Sequence, residues 1–160
     1  DPANRAVVGI NGADASPLLI GYCTQKDANG KVHGKWFVLV TNASSPTIGW
    51  IAQSDADAAD NTWTHLAATY DSATGKIALY VNGVRQNTFV NTNQDGSGVT
   101  GWNSTGNVFI GRGVWAGGQR ADEWYGGVAG VRLYTGVRTQ PGILADRTFD
   151  NPGRLFGISH

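Results

Sequence analysis

Two segments decide the fold of this chain, Trp63-Thr-His-Leu-Ala-Ala-Thr-Tyr-Asp71 and Lys76-Ile-Ala-Leu-Tyr-Val-Asn-Gly83. The first is rich in the aromatic and β-branched residues that favour strands. In the second, Ile77, Leu79 and Val81 fall on one face, and Lys, Ala, Tyr and Asn alternate with them on the other. The two segments therefore predict two antiparallel strands.

Turn chemistry connects these strands to each other and to a third. Asp71-Ser-Ala-Thr-Gly75 suits a turn, because Asp and Ser can hydrogen-bond to their own backbone and Gly tolerates positive φ. Asn82-Gly83 is a strong hairpin signal, because a type I′ turn needs positive φ at both central residues. We therefore expect a third strand, from Val84 to Val90, to return beside the second.

Composition limits the class of protein and the class of partner. The 160 residues suit one domain, residues 1–160, with a core of its own. Charged residues make up 15% and the formal net charge is zero, which argues against nucleic acid or an anionic membrane as a partner. No apolar run approaches the roughly 20 residues of a membrane span. Because the chain begins without Met or a signal-like segment, we interpret it as part of a longer protein.

Short segments bounded by Gly, Asn, Asp, Ser or Pro dominate the chain and predict strands. No stretch of a dozen residues shows the helical period, and one short helix is predicted at Gln140–Arg147, where Pro141 suits the first turn. This pattern predicts an all-β fold, an antiparallel two-sheet sandwich of the jelly-roll kind. The predicted strands are Ala6–Ile10, Leu18–Cys23, Lys35–Thr41, Thr47–Gln53, Trp63–Tyr70, Lys76–Asn82, Val84–Val90, Asn107–Gly111 and Gly127–Tyr134.

Three motifs carry a resemblance to a known family. Trp63-x-His-Leu-Ala-x-x-Tyr-Asp71, followed by Gly75-x-Ile-x-Leu-Tyr-Val-Asn-Gly83, resembles the central hairpin of the laminin G-like jelly roll, a concanavalin A-like lectin/glucanase fold. Phe109-Ile-Gly-Arg112 and Tyr125-Gly-Gly-Val-Ala-Gly-Val-Arg-Leu-Tyr134 resemble its later strands. The resemblance runs from about Ala6 to Leu144 and implies the same concanavalin A-like sandwich.

Two departures from the family pattern bear on function. Ala129-Gly130 stands where the last motif usually has an Asp. The strand or strands that usually precede a segment like Val7–Gly12 are also missing. Either that strand lies outside the sequence, or another segment of chain completes the sheet.

The residues do not support catalysis by paired carboxylates. Glycosidic cleavage typically uses two carboxyl groups that flank the bond, and the similar sandwich glucanases place two glutamates on one strand. Glu123 is the only glutamate in this chain. No Gly-x-Ser-x-Gly elbow is present, no two histidines have metal-ligand spacing, and the single Cys23 is expected to be a buried hydrophobe. We therefore predict that the chain is not an enzyme.

Aromatic side chains outside obvious core positions indicate a binding surface. Flat rings bind the apolar face of sugars, and polar neighbours then fix the orientation. Trp102 and Trp115 lie in glycine-rich loop sequence, where they either bind a ligand or plug the ends of the sandwich. Trp63 and Trp36 are expected in the core. The predicted ligand-binding residues are Trp50, Trp102, Trp115, Trp124 and Tyr125, together with Arg112 and Arg120.

Acidic loops indicate a second kind of site. Asp55-x-Asp57-x-x-Asp60-Asn61 and Asp122-Glu123 offer the oxygen ligands that Ca²⁺ takes from loops. The resemblance implies calcium at a loop rim, although the spacing is not that of an EF-hand. The alternative is a solvated loop with Asp or Asn caps. The predicted calcium ligands are Asp55, Asp57, Asp60, Asp122 and Glu123.

Three functional hypotheses follow from these features. The leading one is a non-catalytic carbohydrate-recognition module of a larger secreted or surface protein, which binds a glycan or polysaccharide. The first alternative is a protein-interaction, adhesion or architectural domain that contacts another domain of the same protein through an exposed sheet edge. The second alternative is a glycoside hydrolase with Asp-based chemistry. We expect an extracellular or cell-surface location.

Overall fold

The structure is a computed structural model that describes residues 4–43, 48–115 and 119–149. Within these ranges the chain forms eleven strands and one helix. In chain order they are β1 (Asn4–Ile10), β2 (Leu18–Lys26), β3 (Val32–Thr41), β4 (Gly49–Gln53), β5 (Leu66–Asp71), β6 (Lys76–Val81), β7 (Val84–Arg85), β8 (Thr88–Val90), β9 (Val108–Ile110), β10 (Gly113–Trp115), β11 (Gln119–Ala121) and α1 (Gln140–Phe149).

Six of these strands form one antiparallel sheet, in the order β8-β4-β3-β2-β1-β9. The long hairpin β2–β3 lies at its centre and pairs over nine residue positions. Both faces of the sheet are apolar. On β3, Trp36, Val38 and Val40 point to one face, whereas Phe37 and Leu39 point to the other. The sheet therefore needs cover on both sides.

The second layer is a three-stranded sheet in the order β5-β6-β7. Its central strand β6 packs against β3 and β4, and its Ile77 and Leu79 are completely buried in the shared core. Burial of one such side chain contributes roughly 1.5–3 kcal/mol. The predicted alternation of β6 and the predicted antiparallel sandwich are both confirmed.

The two predicted turns around β6 are also confirmed. Asn82 and Gly83 have φ of 53° and 80°, as a type I′ turn requires, and β7 pairs with β6 directly after them. At the other end of β6, the Asp71 carboxylate accepts hydrogen bonds from the Ala73 N–H at 3.0 Å and the Thr74 hydroxyl at 2.7 Å. The side chain of Asp71 thus shapes its own turn.

The predicted third strand, Val84–Val90, is not one strand. Its first part, β7, pairs with β6, and its second part, β8, crosses to the large sheet and pairs with β4. The crossing brings the Phe89 ring against the core from the side of the large sheet. Asp55 holds this β7–β8 corner, because its carboxylate accepts hydrogen bonds from the Asn87 N–H at 2.9 Å and the Thr88 hydroxyl at 2.8 Å.

Two further elements cover the outer faces of the sheets. The β10–β11 hairpin lies beside β1, and Ser16 ties it down: the Ser16 N–H donates to the Val114 carbonyl at 3.0 Å, and the Val114 N–H donates to the Ser16 hydroxyl at 3.1 Å. The helix α1 covers the small sheet, where Ile143 packs against Ala78 and Tyr80. No helix in the described ranges is long and apolar enough to cross a membrane.

Cys23 is buried, as predicted. The side-chain amides of Gln25 and Gln53 lie 3.9 Å and 3.8 Å from its Sγ atom. Burial raises the pKa of the Cys23 thiol, so the thiol stays protonated and unreactive near neutral pH.

Most of the other predicted elements are confirmed to within a few residues, including the helix predicted at Gln140–Arg147. Two predictions are wrong. The strand β5 begins only at Leu66, so Trp63 is 59% exposed rather than a core residue. No strand forms at Gly127–Tyr134, whose Leu133 is 64% exposed, because this segment pairs with no strand in the described part of the chain. Thr47, the predicted start of the fourth strand, lies outside the described residues.

Replacement of Gly83 by Ala should destabilise the fold more than replacement of Gly30. Both glycines have φ of +80°, so alanine in this left-handed conformation costs about 1–2 kcal/mol at either position. A Cβ at position 83 would also lie 2.8 Å from Leu144 Cδ1 in α1, whereas a Cβ at position 30 would meet nothing within 4 Å. Urea unfolding should show the larger loss for Gly83→Ala. Equal losses would contradict the contact between the turn and α1.

Candidate functional site

An open cleft lies at the end of β5. Its walls are Tyr70, the turn residues 72–75 and the loop residues 98–103. The cleft has a volume of about 560 Å³, which is within the usual range for sites that bind small molecules. Two aromatic residues, Tyr70 and Trp102, stand in it among hydroxyl, amide and backbone groups. We name it the Tyr70–Trp102 cleft.

Two hydrogen bonds from the loop backbone hold residues 98–103 in place. Val99 is buried in the core, and its N–H donates to the Gly75 carbonyl at 3.0 Å. The Gly101 N–H donates to the Tyr70 hydroxyl oxygen at 2.8 Å. A Cβ at Gly101 would lie 2.9 Å from atoms of the Tyr70 ring, so glycine lets the loop backbone reach the ring. The core and β5 therefore position this wall of the cleft.

Trp102 is held along its inner side. Its indole Nε1–H donates to the Thr41 hydroxyl oxygen at 3.0 Å, and Thr41 is completely buried. The ring also packs so closely on Gly12 that a Cβ at this position would clash with it. The ring consequently has a fixed orientation before any ligand arrives, which reduces the entropy lost on binding.

The cleft combines an apolar surface with hydrogen-bonding groups. Trp102 offers apolar surface, and the Tyr70 hydroxyl, which accepts one hydrogen bond from the loop, keeps its own proton to donate. Ser72, Thr100 and Asn103 add hydroxyl and amide groups to the walls. An aromatic surface ringed by such groups suits a ligand with one apolar face and many hydroxyls.

The structure places the predicted aromatic residues in different surroundings. Trp102 lines the cleft, whereas Trp50 is 9% exposed and packs in the core. That burial contradicts the prediction that Trp50 binds a ligand, because a ligand would have to open the sandwich to reach it. Trp124 also covers the core, with its ring 5.8 Å from that of Trp36 between centroids.

Trp115 and Tyr125 are exposed but do not line the cleft. Trp115, on β10, is 41% exposed. Tyr125 is 78% exposed, and the Arg5 guanidinium lies 4.9 Å above its ring. Each is accessible to a partner, and neither ring lines the Tyr70–Trp102 cleft.

The two predicted arginines also lie outside the cleft. Arg112 stacks its guanidinium on the Phe109 ring at 3.7 Å, a cation–π contact that covers apolar surface. Arg120 is exposed on β11, opposite Val114. Neither predicted arginine therefore lines the cleft.

The carboxylates of Asp55 and Asp57 are already bound by the protein. Burial alone would raise the pKa of Asp55, but the hydrogen bonds at the β7–β8 corner hold it below its usual value. Asp57 forms ion pairs with His33 Nδ1 at 2.8 Å and Lys35 Nζ at 3.0 Å. These contacts fasten the acidic loop to β3 and β8 and occupy the oxygens that a cation would need.

The remaining predicted ligands do not complete a calcium site. Asp60 and Glu123 are exposed, whereas burial raises the pKa of Asp122 and Arg5 opposes that rise. In the ranges that the structure describes, no three His, Cys, Asp or Glu side chains converge on a point where a metal could bind. Ca²⁺ takes about six to eight oxygen ligands, so this arrangement does not fit it.

Sequence reasoning did not find Tyr70, Ser72, Thr100 and Asn103. Thr100 and Asn103 lie beside Trp102 in the chain. A polar loop around an aromatic residue is the sequence signal that could have identified them. Tyr70 and Ser72 belong instead to the β5–β6 hairpin, which sequence patterns identify only as scaffold. The hydrogen bond from Val99 to Gly75 brings the two segments together, and no local pattern predicts a contact of that range.

One comparison with known proteins places the chain in a family. A family model of laminin G type, described as the concanavalin A-like lectin/glucanases superfamily, matches residues 3–144. The match includes both sheets, the cleft and the acidic loops. No curated protein and no solved structure matches the chain.

His33 lies between two carboxylates, which predicts a pH dependence of stability. Its Nδ1 is 2.8 Å from Asp57 and its Nε2 is 3.3 Å from Asp27, and these hydrogen bonds raise the pKa of His33. The charged imidazole therefore stabilises the fold fully below the ordinary His pKa of about 6.5. That contribution is lost as pH rises through the raised pKa.

Thermal unfolding of the wild type and of His33→Gln, measured from about pH 6 to about pH 9, checks this. The advantage of the wild type should shrink as pH rises. The pKa values of Asp57 and Asp27 are lowered, so these carboxylates lose their contribution only in acid and do not disturb the comparison. Parallel pH profiles for the two proteins would contradict the assignment.

Proposed function

The chain belongs to the laminin G-like group of the concanavalin A-like lectin/glucanase superfamily, and on that premise we propose that it is a non-catalytic carbohydrate-recognition module. The superfamily includes lectins and adhesion modules. The Tyr70–Trp102 cleft carries the proposal, because an indole ring of fixed orientation stands there among hydrogen-bonding groups. The proposed partner is a glycan or polysaccharide, and the proposed location is extracellular or at the cell surface.

A sugar would use both kinds of group in the cleft. The C–H face of the sugar ring stacks on Trp102, and its hydroxyls exchange hydrogen bonds with Tyr70 and Asn103. The apolar contact supplies affinity through burial, while the hydrogen bonds select the orientation of the hydroxyls. The cleft is open to solvent, so a sugar can reach Trp102 from outside.

The proposal that the chain is not a catalyst rests on the lack of carboxyl groups in the cleft. Glycosidic cleavage needs two carboxyl groups on either side of the bond, and none of the residues that line the cleft carries one. Glu123, the only glutamate, follows Asp122 directly in the chain and is exposed. Turnover of a polysaccharide that is abolished by Asp122→Asn or Glu123→Gln would reverse this part of the proposal.

Substitutions in the cleft should weaken binding, whereas a matched substitution elsewhere should not. We expect Trp102→Ala and Asn103→Ala to weaken binding of a polysaccharide ligand at least about tenfold, or ~1.4 kcal/mol. Trp63→Ala is the control, because Trp63 is an exposed tryptophan that does not line the cleft. Affinity electrophoresis against a panel of polysaccharides, followed by calorimetry on the positive ones, measures the effect.

Loss of folding must be separated from loss of binding, since Trp102 contacts Thr41 and Gly12. Trp102→Phe keeps an aromatic surface but loses the Thr41 hydrogen bond, so it should bind more tightly than Trp102→Ala. Thermal unfolding of each variant shows whether it is folded at the binding temperature. Binding that is unaffected in folded Trp102→Ala and Asn103→Ala would refute the cleft as the site.

A second candidate function, a protein-interaction module, is favoured by the outer edge of β5. The Asn82 N–H donates to the His65 carbonyl at 2.8 Å, and antiparallel pairs alternate from there. The backbone groups of Leu66, Ala68 and Tyr70 therefore point away from β6. No described strand pairs with that side of β5. An extended segment from another domain could add there as a fourth strand.

Amide hydrogen exchange of two neighbouring residues tests this candidate. The Thr69 amide points towards β6 and should exchange slowly in any folded form. The Ala68 amide should exchange fast in the chain alone and slowly in a complex with the partner segment if a strand adds to β5. Ala68→Pro removes that donor without touching the β5–β6 ladder, so it should release the added strand. Fast exchange of Ala68 in both forms would count against strand addition.

A further inference from the structure

Uncharged residues form the whole described lining of the Tyr70–Trp102 cleft. Tyr70, residues 72–75 and residues 98–103 include hydroxyl, amide, aromatic and glycine residues, and none of them is Asp, Glu, Lys, Arg or His. The hydrogen bonds available to a ligand therefore come from neutral groups. This matters because neutral donors compensate poorly for the loss of water around a charged ligand.

Asp71 and Lys76 flank the turn residues 72–75 in the chain, and neither lines the cleft. The Asp71 carboxylate lies in the turn that forms one wall, and hydrogen bonds from the Thr74 hydroxyl and the Ala73 amide lower its pKa, so it is ionised at neutral pH. The nearest cation in sequence, Lys76, is paired with Asp95 at 2.8 Å. Its charge is therefore compensated before a ligand approaches.

A carboxylated or sulfated sugar would meet an obstacle in this cleft. Its anionic group would lose hydration without gaining a cationic partner. A sugar that carries only hydroxyls does not meet this obstacle, and it can still stack on Trp102 and hydrogen-bond to Tyr70.

From this combination we infer that the ligand of the cleft is a neutral glycan, a polymer or oligomer of uncharged sugars, and that anionic glycans are excluded. The inference rests on the proposed carbohydrate-recognition function and narrows its ligand class. Because binding involves no ion pair, the affinity should be nearly independent of salt. It should also be nearly constant across neutral pH, since the lining contains no Asp, Glu, His, Lys or Arg.

Binding of two polysaccharide sets at matched chain length tests the inference. The neutral set contains β-glucan, galactan, mannan and arabinan, and the anionic set contains polygalacturonate, alginate and heparin. We expect at least one neutral polymer to bind the chain at least about tenfold more tightly than any anionic one. Its affinity should be the same at low and high salt, and Thr100→Ala and Asn103→Ala should weaken it.

The outcomes separate the inference from the proposed function. Binding of an anionic glycan that depends on Asn103 would overturn the neutral class and keep the carbohydrate function. Binding to neither set would overturn both. If Thr100→Ala and Asn103→Ala leave the affinity for a neutral glycan unchanged, the cleft is not the binding site, and both the inference and the proposed site are refuted.

A substitution that adds charge gives an independent readout. Ser72 is exposed in the wall of the cleft, so Ser72→Lys adds a cation there without disturbing the core. It should raise the affinity for polygalacturonate by up to about fivefold, the range of an exposed ion pair, and make that binding sensitive to salt. Thr105→Lys is the matched control, since Thr105 is likewise exposed and does not line the cleft. Equal gains in both variants would show a general charge effect and contradict the inference.

Discussion

The structure depends on the burial of one strand, β6, between its neighbours in the small sheet and the face of the large one. Ile77 and Leu79 are completely enclosed there, and the ends of β6 fix two other parts of the molecule. At one end, the turn at Gly75 receives the loop that carries Trp102. At the other end, the turn at Gly83 contacts α1. The same strand therefore positions the candidate site and the helix that covers the small sheet.

Local sequence patterns predict the elements whose interaction partners lie close to them in the chain. The alternation in β6, the Asn82-Gly83 turn and the helix at the end of the chain could each be predicted, because their interactions are made within a few residues. The break between β7 and β8 could not be predicted. It depends on Asp55, which lies 32 residues before the Asn87 amide that it binds. Sequence patterning cannot assign a strand to one of two sheets when both would bury its apolar residues.

The candidate site was predicted in part, for a similar reason. Trp102 was identified as an aromatic residue in a polar loop, and the structure places it in a cleft. The second wall comes from a turn about 30 residues earlier in the chain, which a hairpin signature marks only as structural. The acidic residues illustrate the opposite error. Asp55 and Asp57 have the composition of a metal loop, but their oxygens bind Asn87, Thr88, His33 and Lys35.

The β7–β8 corner also governs how the molecule comes apart. The chain passes there from one layer to the other within two residues, and Asp55 ties the crossing to the residues after β4, so separation of the two sheets at this corner breaks these hydrogen bonds. Layers joined in this way lose their structure together, as one cooperative unit.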